Sequence, residues 1–361
     1  MIAGGGTGGH LFPGIALARE FRRRRPDARV LFVGTARGLE SRIVPAEGFD
    51  LRLIPVSGWV GLGPLRKLRT LLELPSGFFR SFEILREVRP DLVVGVGGYA
   101  SGPVMALAGL FRIPRVLVEP NAVPGLTNRI LARWVDRIYA AFGENRTGFA
   151  AAARRGALRN FGNPVRRDIL EIRETPSPAA ERKTVLVMGG SQGSHAVNQA
   201  LAGALAGLES MKSKLKIIHQ SGEQDAAHLR EQYDRLGFDA VVTPFLSPVA
   251  EALRQADLVV GRSGATTVAE LTACGRPAIL IPFAQATHGH QEMNARAMVA
   301  AGAAEMILEK DLNGDRLADR LRSLLSDPAR LRRMADSSRR MGRPDAAERI
   351  VEDCLKLVGR G

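Results

Sequence analysis

The 361-residue chain is poor in several things at once. It has two cysteines, Cys274 and Cys354, too few for a disulfide framework or a cysteine zinc site, and such scarcity fits a reducing compartment. No apolar stretch approaches the roughly 20 residues that a membrane-spanning helix needs; the longest, such as 103–111, stop well short. Met1 runs straight into glycines, without the charged and apolar regions of a secretory leader, so a cytoplasmic location is expected. Aromatic residues are 5% of the chain and do not interleave with arginine as a base-stacking surface would, which counts against nucleic acid. No lysine follows a glycine-rich loop, which excludes the phosphate-cradling loop of nucleoside-triphosphate hydrolases. An acid placed to hold a ribose about 20 residues after the first glycine cluster is also missing, because Asp27 follows four arginines and reads as a surface turn. A nicotinamide dehydrogenase is therefore disfavoured.

What is present is globular: 45% hydrophobic and 24% charged residues, over a length that suits two domains of roughly 150–200 residues. Each is long enough to bury a core unaided. Lys and Arg number 51 against 37 Asp and Glu, a net charge of +14. The excess is uneven. Residues 1–163 carry 24 basic and 12 acidic side chains, whereas 164–361 carry 27 and 25. A basic first half beside a nearly neutral second half points to an anionic partner for the first, and an acidic membrane surface is favoured over nucleic acid.

Short aliphatic runs at 30–33, 92–96, 116–118 and 138–140 predict buried parallel strands, each followed by a turn or a helical pattern. The pattern restarts at 184–188, 216–219, 240–243, 258–260 and 278–281. Two open α/β sheets follow, with the boundary between 162–164 and the Pro176-Ser177-Pro178 stretch. From 311 onward the chain reads as charged helices.

Glycine-rich loops carry the strongest local chemistry. Gly4-Gly5-Gly6-Thr7-Gly8-Gly9-His10 precedes an amphipathic helix predicted over 13–24, and Gly189-Gly190-Ser191-Gln192-Gly193-Ser194 follows the 184–188 strand. At a strand-to-helix turn, glycine lets the backbone approach a ligand and leaves helix-start N–H groups for an anion. One such loop could be a plain tight turn; one opening each half is harder to dismiss. A third cluster, 95–103, follows the 92–96 strand. Gly261-Arg262-Ser263-Gly264 opens another helix, on which Glu270 could accept bonds from ribose hydroxyls, although alone it reads as a solvated helix carboxylate. His288, His290, Gln291 and Asn294 form a polar group with no Asp or Cys near enough for a metal, so a sugar-facing amide cluster is favoured. No two aspartates are spaced by one residue. Any diphosphate must then be held by N–H groups and helix dipoles rather than through a metal, and no cofactor is expected.

Taken together, GGGTGGHLFPG at 4–14, GVGGYASGP at 95–103, GNPVR at 162–166, GGSQG at 189–193, HQSG at 219–222, RSGATTVAE at 262–270 and HQEMNA at 290–295 resemble the MurG family of bacterial glycosyltransferases, nearly end to end. The resemblance implies an α/β protein of GT-B type, with two Rossmann-like doubly wound domains facing a cleft. It assigns 1–163 with 343–361 to an acceptor- and membrane-binding domain and 164–342 to a donor domain. It implies inverting transfer of GlcNAc from UDP-GlcNAc to the C4 hydroxyl of MurNAc in lipid I (undecaprenyl-pyrophosphoryl-MurNAc-pentapeptide), giving lipid II at the cytoplasmic face of the plasma membrane. By motif match, Ser191 faces the diphosphate, Leu246 offers its backbone to uracil, Arg166 lies beside the nucleotide, and Glu270 takes the ribose. Ala265, Thr266, Thr267, Val268 and Ala269 bind through the helix start, and Gln291 reaches the sugar. Thr7, Gly8, Gly9 and Asn121 close over sugar and phosphate. The family's His-Glu-Gln-Asn stands here as Val118-Glu119-Pro120-Asn121, so no role of that histidine carries over. His10 is the candidate base, since imidazole changes charge near neutral pH, with Glu119 as runner-up. The alternatives are a UDP-sugar epimerase and a transferase of the same fold acting on another acceptor.

The segment 59–89 bears on the membrane. Leu62, Leu65, Leu68 and Leu72, then Phe78, Phe82 and Leu85, recur at helical spacing among Arg66, Lys67, Arg69, Arg80, Arg86 and Arg89. Such stripes usually face a core; here a lipid-facing patch ringed by arginine is expected.

Overall fold

A computed structural model describes the chain except for residues 37, 57–63, 143–147, 175–181, 191, 287–288 and 360–361 and the side chains of 64–73 and 174. The aliphatic runs do form parallel strands: those inside the sheets are buried and apolar on both faces, whereas 240–243 forms an edge strand on which Val241 is exposed. In the first sheet these are β1 (Ile2–Gly4), β2 (Leu31–Gly34), β3 (Asp50–Leu53), β4 (Val93–Gly97), β5 (Arg115–Glu119), β6 (Arg137–Ala140) and β7 (Leu158–Asn160), in the order β3-β2-β1-β4-β5-β6-β7. The second sheet contains β8 (Lys183–Met188), β9 (Leu215–Gln220), β10 (Asp239–Thr243), β11 (Leu258–Gly261), β12 (Ala278–Leu280) and β13 (Ala304–Met306), ordered β10-β9-β8-β11-β12-β13. Every described pairing is parallel. Strand order reverses between β1 and β4, and again between β8 and β11. These switch points are where doubly wound sheets bind ligands, beyond the carboxyl ends of the strands. All the glycine loops singled out in the sequence leave from β1, β4, β8 or β11.

The strands absent from the sequence reading are short or lie at an edge. β1, β7 and β13 have three residues each, and β3 is an exposed edge bearing Asp50 and Arg52. None offers a continuous apolar run. The first helix also starts earlier than predicted, at Gly8 rather than Pro13. An extended Thr7 opens it, and Pro13 lies within it.

The chain divides into two compact units, Met1–Arg166 with Pro344–Gly361, and Arg167–Arg343. The last helix, Ala346–Val358, belongs to the first because its apolar stripe is buried there. Ala347, Ile350, Val351 and Cys354 join Ile2, Leu11, Val118 and Tyr139 in one core, and each such aliphatic side chain contributes roughly 1.5–3 kcal/mol. The Tyr139 hydroxyl donates to Asp353 Oδ2 at 2.9 Å, and the Arg349 guanidinium lies 4.3 Å from the Phe161 ring centre. The other face of the first sheet carries a second core, with Leu117, Val104, Met105, Leu131 and Leu85. The second unit's largest core gathers Val185, Val187, Leu258, Val260, Leu201 and Leu321.

Candidate active site

At the first switch point, Thr7 has φ −125° and ψ 157° and makes no side-chain cap, so the helix Gly8–Arg24 meets the strand end with the positive pole of its dipole. His10 is the third residue of this helix. Its Nδ1 makes a long contact of 3.4 Å with Thr7 Oγ1, and its ring lies on the backbone of Gly97: a Cβ there would come within 2.8 Å of Cδ2 and 3.0 Å of Nε2. Gly5 N donates to Gly97 O at 3.3 Å, and the Ser101 hydroxyl donates to Gly98 O at 2.8 Å. The 95–103 cluster therefore packs against the first loop and holds a place for His10.

Glu119 ends β5, next to β4 in the sheet. It is buried, and both carboxyl oxygens are occupied. Oε1 accepts from Asn121 N (3.0 Å) and Nδ2 (3.1 Å), and Oε2 accepts from Gly125 N (3.0 Å) and Asn128 Nδ2 (2.9 Å). Burial raises its pKa above the ordinary value, against these four bonds that lower it. The geometry suits a brace that shapes the 120–125 loop and presents Asn121. Position 118 is a core position: Val118 is only 1% exposed and packs in the core that holds Ile350 and Cys354. Arg166 closes the first unit rather than opening the second, and its guanidinium lies 4.6 Å from the ring centre of Phe12 on the Gly8–Arg24 helix.

In the second unit the loop after β8 leads to the helix His195–Ala204. Ser194 caps that helix by accepting from Val197 N at 3.4 Å. Ser191 lies outside the described residues. Beneath the loop is a buried polar chain. His219 Nδ1 is 2.9 Å from Tyr233 Oη, and Nε2 is 3.0 Å from Asn198 Oδ1. Asn198 Nδ2 donates to Ser221 O at 2.8 Å and to Asp225 Oδ2 at 2.6 Å. Both of those partners are pure acceptors, which fixes the Asn198 amide and makes His219 Nε2 the protonated nitrogen. A Cβ at Gly193 would strike Ser221 O, so this chain holds the 189–194 loop from below. Leu246 is half-buried beside exposed Phe245, after β10.

The loop after β11 presents a second helix start without a side-chain cap, at Gly264 before Ala265–Cys274. Ala265 and Val268 are buried, whereas Thr266, Thr267 and Ala269 are partly exposed. Glu270 is 6% exposed, which corrects the reading of a solvated carboxylate: its position on the helix turns it inward. Ser263 Oγ donates to Gln291 O at 2.8 Å, and Asn294 Nδ2 donates to Ser263 O at 3.0 Å, tying the helix His290–Ala300 to this turn. Gln291 Oε1 accepts from Phe283 N at 3.0 Å, so its amide nitrogen points the other way. Arg262 donates to Ile281 O and Pro282 O and pairs with Glu309 at 2.9 Å, which holds the Glu309 carboxyl below its ordinary pKa. His288 lies outside the described residues.

The predicted membrane stripe is partly inverted. Leu85 is 1% exposed and belongs to the core, and Phe82 lies tilted against Phe111 with ring centres 5.2 Å apart. Leu62 and the side chains of Leu65, Leu68 and Leu72 lie outside the described residues. Phe78 (38%) and Phe79 (65%) are exposed, as are Leu110, Leu126, Ile130 and Trp134. The helices Pro64–Val88, Ser101–Leu110 and Leu126–Leu131 bury their inner sides in one core, so their outer sides share one face. Arg86, Arg112, Arg129 and Arg133 are exposed on the same segments. Among the described residues no helix is long and apolar enough to cross a membrane.

Two Rossmann-like units, each with a glycine turn and an uncapped helix start at its switch point, define a GT-B-type nucleotide-sugar enzyme. A glycosyltransferase family 28 N-terminal domain matches residues 1–140, and a family 28 C-terminal domain matches 184–350. The chain is 48% identical over 360 residues (100% of this chain, 93% of the relative) to a protein of Anaeromyxobacter sp. (strain Fw109-5) named UDP-N-acetylglucosamine--N-acetylmuramyl-(pentapeptide) pyrophosphoryl-undecaprenol N-acetylglucosamine transferase. A protein of the same name from Myxococcus xanthus (strain DK1622) is 47% identical over 99% of this chain and 92% of its own. The crystal structure of Acinetobacter baumannii MurG superposes with a TM-score of 0.76 at 27% identity, covering 99% of this chain and 98% of that one. The chain belongs to glycosyltransferase family 28.

Proposed function

We propose that this chain is an inverting transferase that moves GlcNAc from UDP-GlcNAc to the C4 hydroxyl of MurNAc in lipid I, giving lipid II for peptidoglycan synthesis. The observation that carries the reading is 45–48% identity, over 97–100% of the chain, to proteins named for this reaction. The second unit takes the donor. Ser191 and the Ala265–Ala269 helix start hold the diphosphate, Glu270 the ribose, Leu246 the uracil and Gln291 the sugar, while Arg166, at the end of the first unit, lies beside the nucleotide. The first unit takes the acceptor, and from it Thr7, Gly8, Gly9 and Asn121 close over the sugar and phosphate of the donor. The acceptor oxygen attacks the anomeric carbon, its proton passes to His10, and the bond from that carbon to the diphosphate oxygen breaks as UDP leaves. Helix-start N–H groups meet the charge that develops on the diphosphate. UDP release from UDP-GlcNAc measured with and without lipid I, with UDP-GalNAc as control, tests this. Release that does not depend on lipid I, or free sugar product, would favour an epimerase or another acceptor.

The exposed apolar face of the first unit, with its arginines and the surplus of basic over acidic residues in 1–163, docks on the anionic cytoplasmic face of the plasma membrane, where the lipid-linked acceptor resides. Burying a Phe or Trp is worth roughly 1.5–3 kcal/mol, so Phe79→Ser with Trp134→Ser is expected to weaken binding to phosphatidylglycerol vesicles at least about tenfold. Unchanged co-sedimentation would remove this face from the reading.

A further inference from the structure

One buried carboxyl group of the first unit takes no part in the reaction as read above. Glu40 starts the helix Glu40–Ala46, after β2, and is 1% exposed. Its Oε2 accepts the Gly6 N–H at 2.7 Å, and its Oε1 accepts the Thr35 N–H at 2.8 Å and the Thr35 hydroxyl at 2.9 Å. A Cβ at Gly5 or Gly38 would collide with this carboxyl and one at Gly34 with its Cγ, so glycines at or beyond the ends of β1 and β2 leave room for the side chain. A polar group buried this deeply is tolerated only with its partners in place, and Glu40 meets three donors.

The placement has a consequence for any ligand of the first loop. Gly5 N–H is engaged by Gly97 O, and Gly6 N–H by Glu40. The loop therefore cannot wrap an anion with those two groups. Gly6 has φ 90°, a backbone state with several competitors for glycine, and the bond to Glu40 selects one. Thr7 follows immediately, and its Oγ1 is the contact of His10. We infer that Glu40 is the positioning residue of the first glycine loop, fixing Gly6 and through it Thr7 and His10 for transfer. This rests on the reading of Thr7 and His10 given above.

Glu40→Gln keeps the size of the side chain but turns an N–H toward Gly6 N–H or Thr35 N–H. Gly38→Ala displaces the carboxyl without changing it, and Thr35→Val removes one bond while leaving Gly6 held. In full-length protein, Glu40→Gln and Gly38→Ala are expected to lower kcat at least about tenfold, with Kd for UDP within about threefold of wild type. Thr35→Val is expected to stay within about threefold in kcat. Amide hydrogen exchange over residues 5–10 should rise about tenfold in the first two variants, and exchange in the second unit should not change. Wild-type exchange over 5–10 in Glu40→Gln overturns the inference whatever the activity. So does a kcat loss matched by equal loss of UDP affinity or of folded protein. A wild-type chain that fails to transfer GlcNAc to lipid I would instead sink the functional reading, and the exchange result would still decide the role of Glu40.

Discussion

His10→Ala is expected to lower kcat for transfer to lipid I by about 10²–10⁴-fold, the usual contribution of a general base, while Kd for UDP stays within about threefold. The split follows from where the groups lie. Leu246, Glu270 and the Ala265–Ala269 helix start, assigned to uracil, ribose and diphosphate, sit in the second unit, whereas His10 sits on the first helix of the first unit, between Thr7 and Gly97. Gly97→Ala should move activity in the same direction while leaving the imidazole chemically intact, because its Cβ would come within 2.8 Å of the ring and Gly97 holds a φ of +93° that alanine resists. Single-turnover kinetics with saturating donor separates this loss from one of binding. Turnover retained in His10→Ala would remove His10 as base. Glu119 is then a poor substitute, since two donors already bond each of its oxygens. Replacing it would release the loop that carries Asn121 before it altered any proton transfer.

The legible parts of this chain are those where one residue type has one physical use. Aliphatic runs too short for helices gave nine strands, all but the 240–243 edge because a buried parallel strand is apolar on both faces. Glycine at a strand end announced the turns at 4–9, 95–103 and 189–194. Other features depended on partners distant in sequence. Glu40 reads as an ordinary helix-start acid, and only the fold brings it to Gly6, 34 positions away. Glu270 sits on a helix whose buried side could not be told from a weakly amphipathic pattern, so its burial was unreadable. Helical spacing joined Phe78, Phe82 and Leu85 into one stripe, yet Leu85 packs inward while neighbouring Phe79 is exposed. HQSG at 219–222 was visible as a motif, but the task of its histidine emerged only with Asn198 and Tyr233 on either side.

Acid is expected to weaken the second unit through that histidine. Burial pushes the pKa of His219 down to about 4, against 6.5 for a solvated imidazole, and the more distant Asp225 only partly opposes this. Between those values the unfolded chain takes up a proton that the folded unit refuses. The stability this group contributes is thus complete above about pH 6.5 and is lost as pH falls toward 4, a loss of about 3 kcal/mol. The present bonds suit the neutral ring: Nε2–H donates to Asn198 and Nδ1 accepts the Tyr233 hydroxyl, which would have to turn and accept if the buried ring took a second proton. His219→Gln removes the titrating group. Urea unfolding at several pH values should find the variant weaker than wild type at pH 7.5, through the lost bonds, and the gap closing by about 3 kcal/mol near pH 4. Carboxyl groups such as Asp225 titrate in both proteins and cancel in the difference. Parallel loss in the two proteins would show that the proton goes elsewhere. Asn198 passes from His219 to Ser221, on which the backbone of Gly193 rests, so the same protonation loosens the 189–194 loop. UDP affinity in the wild type should therefore decline over the same pH range.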